Sequence, residues 1–145
     1  TLRFNYRGVA GSQGTRGTGE ALVDEALGAL SVVLENAQAP TAAVAALHGS
    51  ARVALGLRAR HSGVAGLCLV SPRDIAPREL TSLGHELLVV VGEQDDALPR
   101  GELARAVAAA GGTLEVVEGA GAHLHHALPW VGKIVRAWLK RLSGT

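Results

Sequence analysis

The residues of this chain that could perform nucleophilic chemistry each stand just after an apolar run. His48 and Ser50 follow the run TAAVAAL, Asp95 follows ELLVVVG, and His123 follows TLEVVEG. A hydroxyl or an imidazole can attack an electrophile when a neighbouring imidazole takes its proton and a carboxylate orients that imidazole. The order along the chain, a possible nucleophile, then an acid, then a histidine, is compatible with that chemistry.

Apolar periodicity predicts the elements that must position these residues. The apolar runs have the length and composition of strands, and apolar residues recur at helical spacing between them. The predicted strands cover residues 1–6, 41–47, 64–72, 86–92 and 113–119, and the predicted helices cover residues 20–35, 50–60, 77–83, 99–110 and 128–142. Strands that alternate with helices through short connections indicate one three-layer α/β domain over residues 1–145, with a mostly parallel, five-stranded sheet.

Two of the predicted strands carry specific expectations. TLRFNY alternates apolar and polar side chains, which indicates a strand with one wet face or an edge position. TAAVAAL is almost entirely apolar, which predicts a central buried strand. Because the carboxyl ends of parallel strands share one edge of the sheet, we expect His48, Ser50, Asp95 and His123 to lie together there.

Composition narrows the class of protein. Hydrophobic residues make up 48% and charged residues 19% of the chain, which is typical of a soluble globular domain. The net charge of +1 offers no basic field to nucleic acid, and no apolar run is long enough to span a membrane, so neither is expected as a partner. The single Cys68 excludes an intrachain disulfide, and no signal peptide is visible, so we expect a cytoplasmic location.

Three segments resemble the small α/β-hydrolases of the dienelactone-hydrolase-like kind. RFNYRGVAGSQG resembles their strand-and-loop motif, VVVGEQDDALP their acid-bearing turn, and VVEGAGAHL their EGAxH turn with one extra small residue. The match runs in order through nearly the whole chain. The resemblance implies an α/β-hydrolase fold, acyl-ester hydrolysis as the family chemistry, Asp95 as the triad acid and His123 as the triad base.

The nucleophile elbow departs from the pattern of this family. The family reads G-x-S-x-G at the turn between strand and helix, whereas this chain reads Ala46-Leu47-His48-Gly49-Ser50. His48 therefore takes the nucleophile's place, and Gly49 directly after it could offer a backbone N–H to an oxyanion. Imidazole can act as a nucleophile, although ester hydrolysis in this fold uses Ser, Cys or Asp.

Several of these residues leave more than one interpretation open. Ser50 is either the N-cap of the following helix or a displaced catalytic hydroxyl. Asp95 and His123, taken singly, also fit a helix-capping turn residue and an ordinary loop histidine. We therefore expect an acyl-ester hydrolase of weak or absent activity, and the alternative is a non-catalytic α/β domain that binds a ligand or a partner.

The resemblance also implies an N-terminal strand and an H-G segment that nothing in this sequence matches. In the family that segment supplies the second oxyanion donor, and losing one such donor typically costs about 10²–10³ in rate. Without it, apolar sheet surface and one sheet edge are expected to stay uncovered. This predicts a homo-oligomer or a lost N-terminal segment, with contact through the TLRFNY edge and with Trp130 or Trp138 near it.

Two further patterns carry weaker chemistry. Glycines at positions 8, 11, 14, 17 and 19 follow a predicted strand, as in a phosphate-binding loop, but their spacing is not G-x-G-x-x-G. His123, His125 and His126 could hold a metal, but no cysteine or nearby carboxylate completes a set of ligands. We expect no nucleotide or metal cofactor, and an acyl substrate or ligand as the small-molecule partner.

Overall fold

The sheet has four parallel strands in sequential order. The computed structural model describes residues 1–84 and 86–144, and its strands are β1 (Ala42–Leu47), β2 (Val64–Val70), β3 (Leu87–Gly92) and β4 (Thr113–Val117). They pair side by side in the order β1-β2-β3-β4, each parallel to its neighbours. The predicted parallel α/β architecture is confirmed, with four strands in place of five.

Residues 1–6 are the predicted strand that does not form. The segment joins no sheet and is fixed at its end by Arg7, whose backbone N–H and guanidinium both donate to the Glu25 carboxylate at 2.8 and 2.9 Å. These hydrogen bonds lower the pKa of the Glu25 carboxyl below its usual value. Alternating polarity does not show whether a segment has a partner strand, and here Leu2 and Phe4 of the apolar side stay exposed.

The unpaired segment leaves β1 at the edge of the sheet, so the prediction of a central buried strand is wrong. The side chains of Ala43, Ala45 and Leu47 are exposed on one face of β1, whereas Ala46 is buried on the other. Apolar residues occupy both faces of β1, but only one face is covered by helices.

The helices form two layers around the sheet. The α-helices are α1 (Glu20–Ala37), α2 (Ser50–Arg60), α3 (Arg100–Ala109) and α4 (Leu128–Ser143), and a short 3₁₀ helix spans Pro77–Leu80. Because crossovers between parallel strands are right-handed, strands in sequential order place α2 and α3 on one face. Helix α1, which precedes β1, packs into the same core. Of the helices in the described residues, only α4 packs on the other face, which confirms the three-layer prediction. No helix in the described part of the chain is long and apolar enough to cross a bilayer.

The core under α4 contains Cys68 and Trp138. Both residues are buried, and burial raises the pKa of the Cys68 thiol to about 12. Cys68 therefore packs as a small apolar residue, as its place in an apolar run indicates. Trp130, at the other end of α4, is 56% exposed. Of the two tryptophans predicted near an intermolecular contact, only Trp130 is accessible.

Candidate functional site

His48 occupies the tight turn between β1 and α2. Its φ of 50° lies in the left-handed region that non-glycine residues seldom adopt. The His48 N–H donates to the Val70 carbonyl at 3.0 Å, and the His48 carbonyl accepts from the N–H groups of Ala51 and Arg73, each at 3.1 Å. A strained residue between a strand and a helix is the geometry of a nucleophile elbow, so the backbone here has the form that the sequence alignment predicts.

Gly49 follows the elbow as the N-cap of α2, with a helical φ of −63°. The first N–H groups of a helix have no acceptor within the helix and can bind an anion. That placement suits the oxyanion role predicted for Gly49, which stays a prediction. One feature opposes it, because a Cβ on Gly49 would lie only 3.4 Å from Oδ2 of Asp74. A carboxylate this close repels a developing oxyanion.

Ser50 is the first residue of α2 and is not its cap. The N-cap is Gly49 and the cap has no side-chain hydrogen bond, so the capping interpretation of Ser50 is wrong. The Ser50 side chain is hydrogen-bonded to Tyr6 instead. Burial and the Glu25 charge raise the pKa of Tyr6, and the hydrogen bond with Ser50 opposes that rise. The helix begins at Ser50 as predicted, and Gly49 before it takes the cap position.

Three imidazole rings lie in a row at the carboxyl edge of the sheet. The ring centroids of His48 and His123 are 5.3 Å apart at an interplanar angle of 64°, and those of His123 and His125 are 5.3 Å apart and stacked. The fold thus brings His48 and His123 together from distant parts of the chain. Among residues 1–84 and 86–144, no group of three or more His, Cys, Asp or Glu side chains could hold a metal ion.

The Asp95 carboxylate is buried and has one hydrogen-bond donor and one ion-pair partner. Its Oδ1 atom accepts from the Ala97 N–H at 3.2 Å and lies 3.1 Å from the Arg73 guanidinium, and only 7% of the residue is exposed. Within the part of the chain that the structure describes, His123 is not one of its hydrogen-bond partners. Pairing of Asp95 with His123 therefore stays a prediction, and Arg73 already balances the charge that a triad acid offers to an imidazolium.

Arg73 is a site residue that the sequence pattern did not single out. It comes two residues after Ser71, just beyond the end of β2, and its backbone N–H bonds the elbow carbonyl of His48. One signal in the sequence could have identified Arg73, which is a basic residue at the end of a predicted strand. A buried carboxylate such as that of Asp95 needs a counter-charge of this kind. Ser71 is itself fully buried with a φ of 43°, and its hydroxyl has no hydrogen-bond partner among the described residues.

Hydrogen bonds to its backbone hold the acid-bearing loop after β3 against its neighbours. The Arg100 guanidinium donates to the carbonyls of Gly92 and Asp95 at 2.8 and 3.0 Å. The Gln94 N–H donates to the Ala120 carbonyl at 2.9 Å, which joins this loop to the loop that carries His123. A site built from two loops needs such support, because loose loops misplace the groups they carry.

Known structures share this fold. The chain is similar to a candidate alpha/beta hydrolase of unknown function from Agrobacterium tumefaciens, with a TM-score of 0.79 and 21% identity over 98% of this chain and 70% of that one. It is also similar to an alpha-beta serine hydrolase homologue from Coxiella burnetii, with a TM-score of 0.73 and 26% identity over 91% and 65%. This chain has the α/β-hydrolase fold.

A third neighbour is a predicted CIB-like hydrolase from Thermoplasma acidophilum, with a TM-score of 0.69 and 18% identity over 97% of this chain and 70% of that one. The superfamily resemblance seen in the sequence is therefore confirmed. No protein-family model matches the chain, and no curated protein matches it in sequence. The chain spans 65–70% of the length of these three structures.

The ion pair between Arg73 and Asp95 has a measurable consequence for stability. Arg73→Met is expected to lower the free energy of unfolding by about 2 kcal/mol, because it leaves the Asp95 carboxylate buried without its counter-charge. The loss is below that of a fully buried pair because the Arg73 side chain is 29% exposed. Urea denaturation measures it.

Arg60→Met is the matched control, since Arg60 pairs only with exposed carboxylates and should cost under about 1 kcal/mol. Asp95→Asn in the Arg73→Met background should restore most of the lost stability. If the double variant is no more stable than Arg73→Met alone, the charge imbalance is not the cause.

Proposed function

We propose that this chain is an α/β-hydrolase-fold protein, related to carboxylic-ester hydrolases, in which serine-dependent ester hydrolysis is weak or absent. The observation that carries the proposal is that His48 occupies the left-handed elbow position. An acyl-serine intermediate cannot form at that position, and the side chain that faces the His123 ring is another imidazole.

Two neighbouring contacts support this proposal. Ser50, in the first turn of α2, carries the only hydroxyl close in sequence to the elbow. This hydroxyl is hydrogen-bonded to Tyr6. The carboxylate in the acid position is engaged by Arg73. A serine hydrolase needs its nucleophile in contact with the base and the base in contact with the acid, and here the nucleophile and acid candidates have other partners.

A fluorophosphonate probe tests the proposal directly, because it labels activated serine hydroxyls. The folded wild-type protein is expected to remain unlabelled and to hydrolyse p-nitrophenyl esters at the background rate. Ser50→Ala is expected to change neither result. Labelling of the wild-type protein at Ser50, with loss of turnover in Ser50→Ala, would show that the displaced hydroxyl is catalytic and that the proposal is wrong.

The second candidate function is a non-catalytic domain that binds a partner. It is favoured by a cavity of about 290 Å³ that lies beside β1 and is separate from the three imidazole rings at the carboxyl edge of the sheet. Its volume is near the lower end of the range of about 300–1,000 Å³ for ligand sites. For both candidate functions we propose a cytoplasmic location and an acyl ligand that binds beside the imidazole rings at the carboxyl edge of the sheet.

A further inference from the structure

The loop after β2 brings a carboxylate to the elbow. Asp74 lies in this loop with a φ of 58°, in the left-handed region that non-glycine residues seldom adopt. Its Oδ2 atom is the atom that a Cβ on Gly49 would approach to 3.4 Å. Asp74 is exposed, so a ligand from solvent can reach this carboxylate beside the N-terminus of α2.

Contacts with the first turn of α2 hold the backbone of Asp74 in this place. The Arg52 guanidinium donates to the Asp74 carbonyl, from Nε at 3.1 Å and from Nη2 at 2.6 Å. The same guanidinium pairs with the Glu79 carboxylate, whose Oε2 atom accepts from the Ala76 N–H at 2.6 Å. The fold therefore fixes the loop on both sides of Asp74 and places its side chain beside Gly49.

The Asp74 carboxylate keeps an uncompensated negative charge. Among residues 1–84 and 86–144, no Lys, Arg or His side chain forms an ion pair with it. The two cations closest to it in the structure are already paired, since Arg73 contacts Asp95 and Arg52 contacts Glu79. A positively charged group on a ligand would be the first to pair with Asp74.

The other charged side chains at the carboxyl edge reinforce this preference. Residues 71–80, 93–99 and 118–127, which follow β2, β3 and β4, include six acidic residues and only two basic ones, Arg73 and Arg78. Arg52 and Arg100 add two guanidiniums from the first turns of α2 and α3. This edge is therefore negative, although the whole chain has a net charge of +1. Such a field attracts cations and repels anions.

An acyl ligand at the elbow would lie within reach of this charge. The free N–H groups of α2 begin beside Gly49, and a carbonyl oxygen that binds them lies close to the Asp74 carboxylate. An ammonium group one or two carbons from that carbonyl can therefore contact Asp74. Two opposite charges about 4 Å apart attract each other in water, and more strongly at a protein surface, where the effective dielectric constant is lower.

We propose that the ligand of this site is a cationic acyl compound, with an ammonium group within a few bonds of its carbonyl, and that Asp74 selects it. The inference rests on the proposed acyl ligand at the carboxyl edge and names its chemical class. It does not depend on whether the ligand is hydrolysed. An acyl compound with a carboxylate in place of the ammonium group is excluded by repulsion from Asp74.

Two anilides of the same shape test the proposal on the wild-type protein. The anilide of glycine betaine and the anilide of tert-butylacetic acid differ only in the cationic nitrogen that replaces a carbon. The ring signals of His48 and His123 in nuclear magnetic resonance spectra report binding, at a mildly alkaline pH where imidazole is ordinarily neutral. The cationic anilide is expected to bind about 10-fold more tightly, a value between those for a charge pair in water and at a protein surface.

Asp74→Asn removes the charge and keeps the shape of the side chain. It should bind the two anilides with about equal affinity. Glu35→Gln is the matched control, because Glu35 is an exposed carboxylate near the end of α1, just before β1 begins and so at the opposite edge of the sheet. It should keep the preference of the wild-type protein. Added salt should weaken binding of the cationic anilide alone, since salt screens exposed charges.

Arg52→Met separates the placement of Asp74 from the net charge of the site. Without the guanidinium the Asp74 carbonyl is released, so the preference for the cationic anilide should fall below that of the wild-type protein. Net charge alone predicts the opposite, because loss of a cation makes the edge more negative. A preference that rises in Arg52→Met would show that the placement of Asp74 does not select the ligand.

Two results would overturn the selection by Asp74 directly. They are equal affinity of the wild-type protein for the two anilides, and a preference that Asp74→Asn leaves unchanged. If neither anilide binds, the acyl ligand itself is wrong and the charge selection fails with it. Fluorophosphonate labelling of the wild-type protein bears on the loss of hydrolysis alone, because binding of the anilides requires no serine nucleophile.

Discussion

His48→Ser is expected to raise the rate of p-nitrophenyl ester hydrolysis about 10³-fold above that of the wild-type protein. The elbow backbone already holds this position at a φ of 50°, next to the His123 ring. Removing the nucleophile of a serine hydrolase costs about 2 × 10⁶ in kcat. With the Gly49 N–H as the single oxyanion donor, a factor of about 10³, the upper end of the usual loss, is not recovered, which leaves a gain of about 10³.

His48→Ala is the control for this gain of function, because it vacates the elbow without adding a hydroxyl. It should hydrolyse esters no faster than the wild-type protein. Fluorophosphonate should label His48→Ser at position 48, and Ser50→Ala in the same background should leave that labelling unchanged. If His48→Ser is folded but neither labelled nor active, the elbow does not present its side chain to the substrate and the alignment of His48 with a nucleophile is wrong.

Most elements of this fold could be predicted from the sequence because their apolar periodicity is strong. The pattern places α2 at residues 50–60, where the structure has Ser50–Arg60, and it places a strand over 86–92, where β3 spans Leu87–Gly92. Segment 1–6 has an equally regular pattern but forms no strand. Periodicity depends on the side chains, whereas sheet formation also requires an adjacent backbone edge, and no local pattern reports that edge.

The candidate site was predictable only in part, for a related reason. The placement of His48 and His123 at one edge follows from strand order, because the ends of parallel strands converge. The partners of Asp95 and Ser50 do not follow from it. Arg73 reaches Asp95, and Tyr6 reaches Ser50, through packing between segments that are far apart in sequence. Such choices among possible partners depend on the packed positions of whole segments, which local sequence patterns do not report.

Gly92→Ala is expected to lower the free energy of unfolding by about 3 kcal/mol, the upper end of the usual cost of overpacking. Gly92 is the last residue of β3 and is buried. A Cβ at this position would overlap the carbonyl oxygens of Ala120 and Gly121, which are backbone atoms and cannot rotate away. The loop after β4 must therefore move outward and weaken the hydrogen bond from the Gln94 N–H to Ala120. Urea denaturation measures the loss.

Gly132→Ala is the control for this substitution, because Gly132 lies in α4 and a Cβ there meets nothing within 4 Å. It should be neutral or stabilising by up to about 1 kcal/mol, since alanine favours helix. The loop displaced by Gly92→Ala also carries His123, so in the His48→Ser background Gly92→Ala should lower ester hydrolysis about 10²-fold, as displacements of about 1 Å do. Unchanged turnover together with reduced stability would show that His123 is not the base at this site.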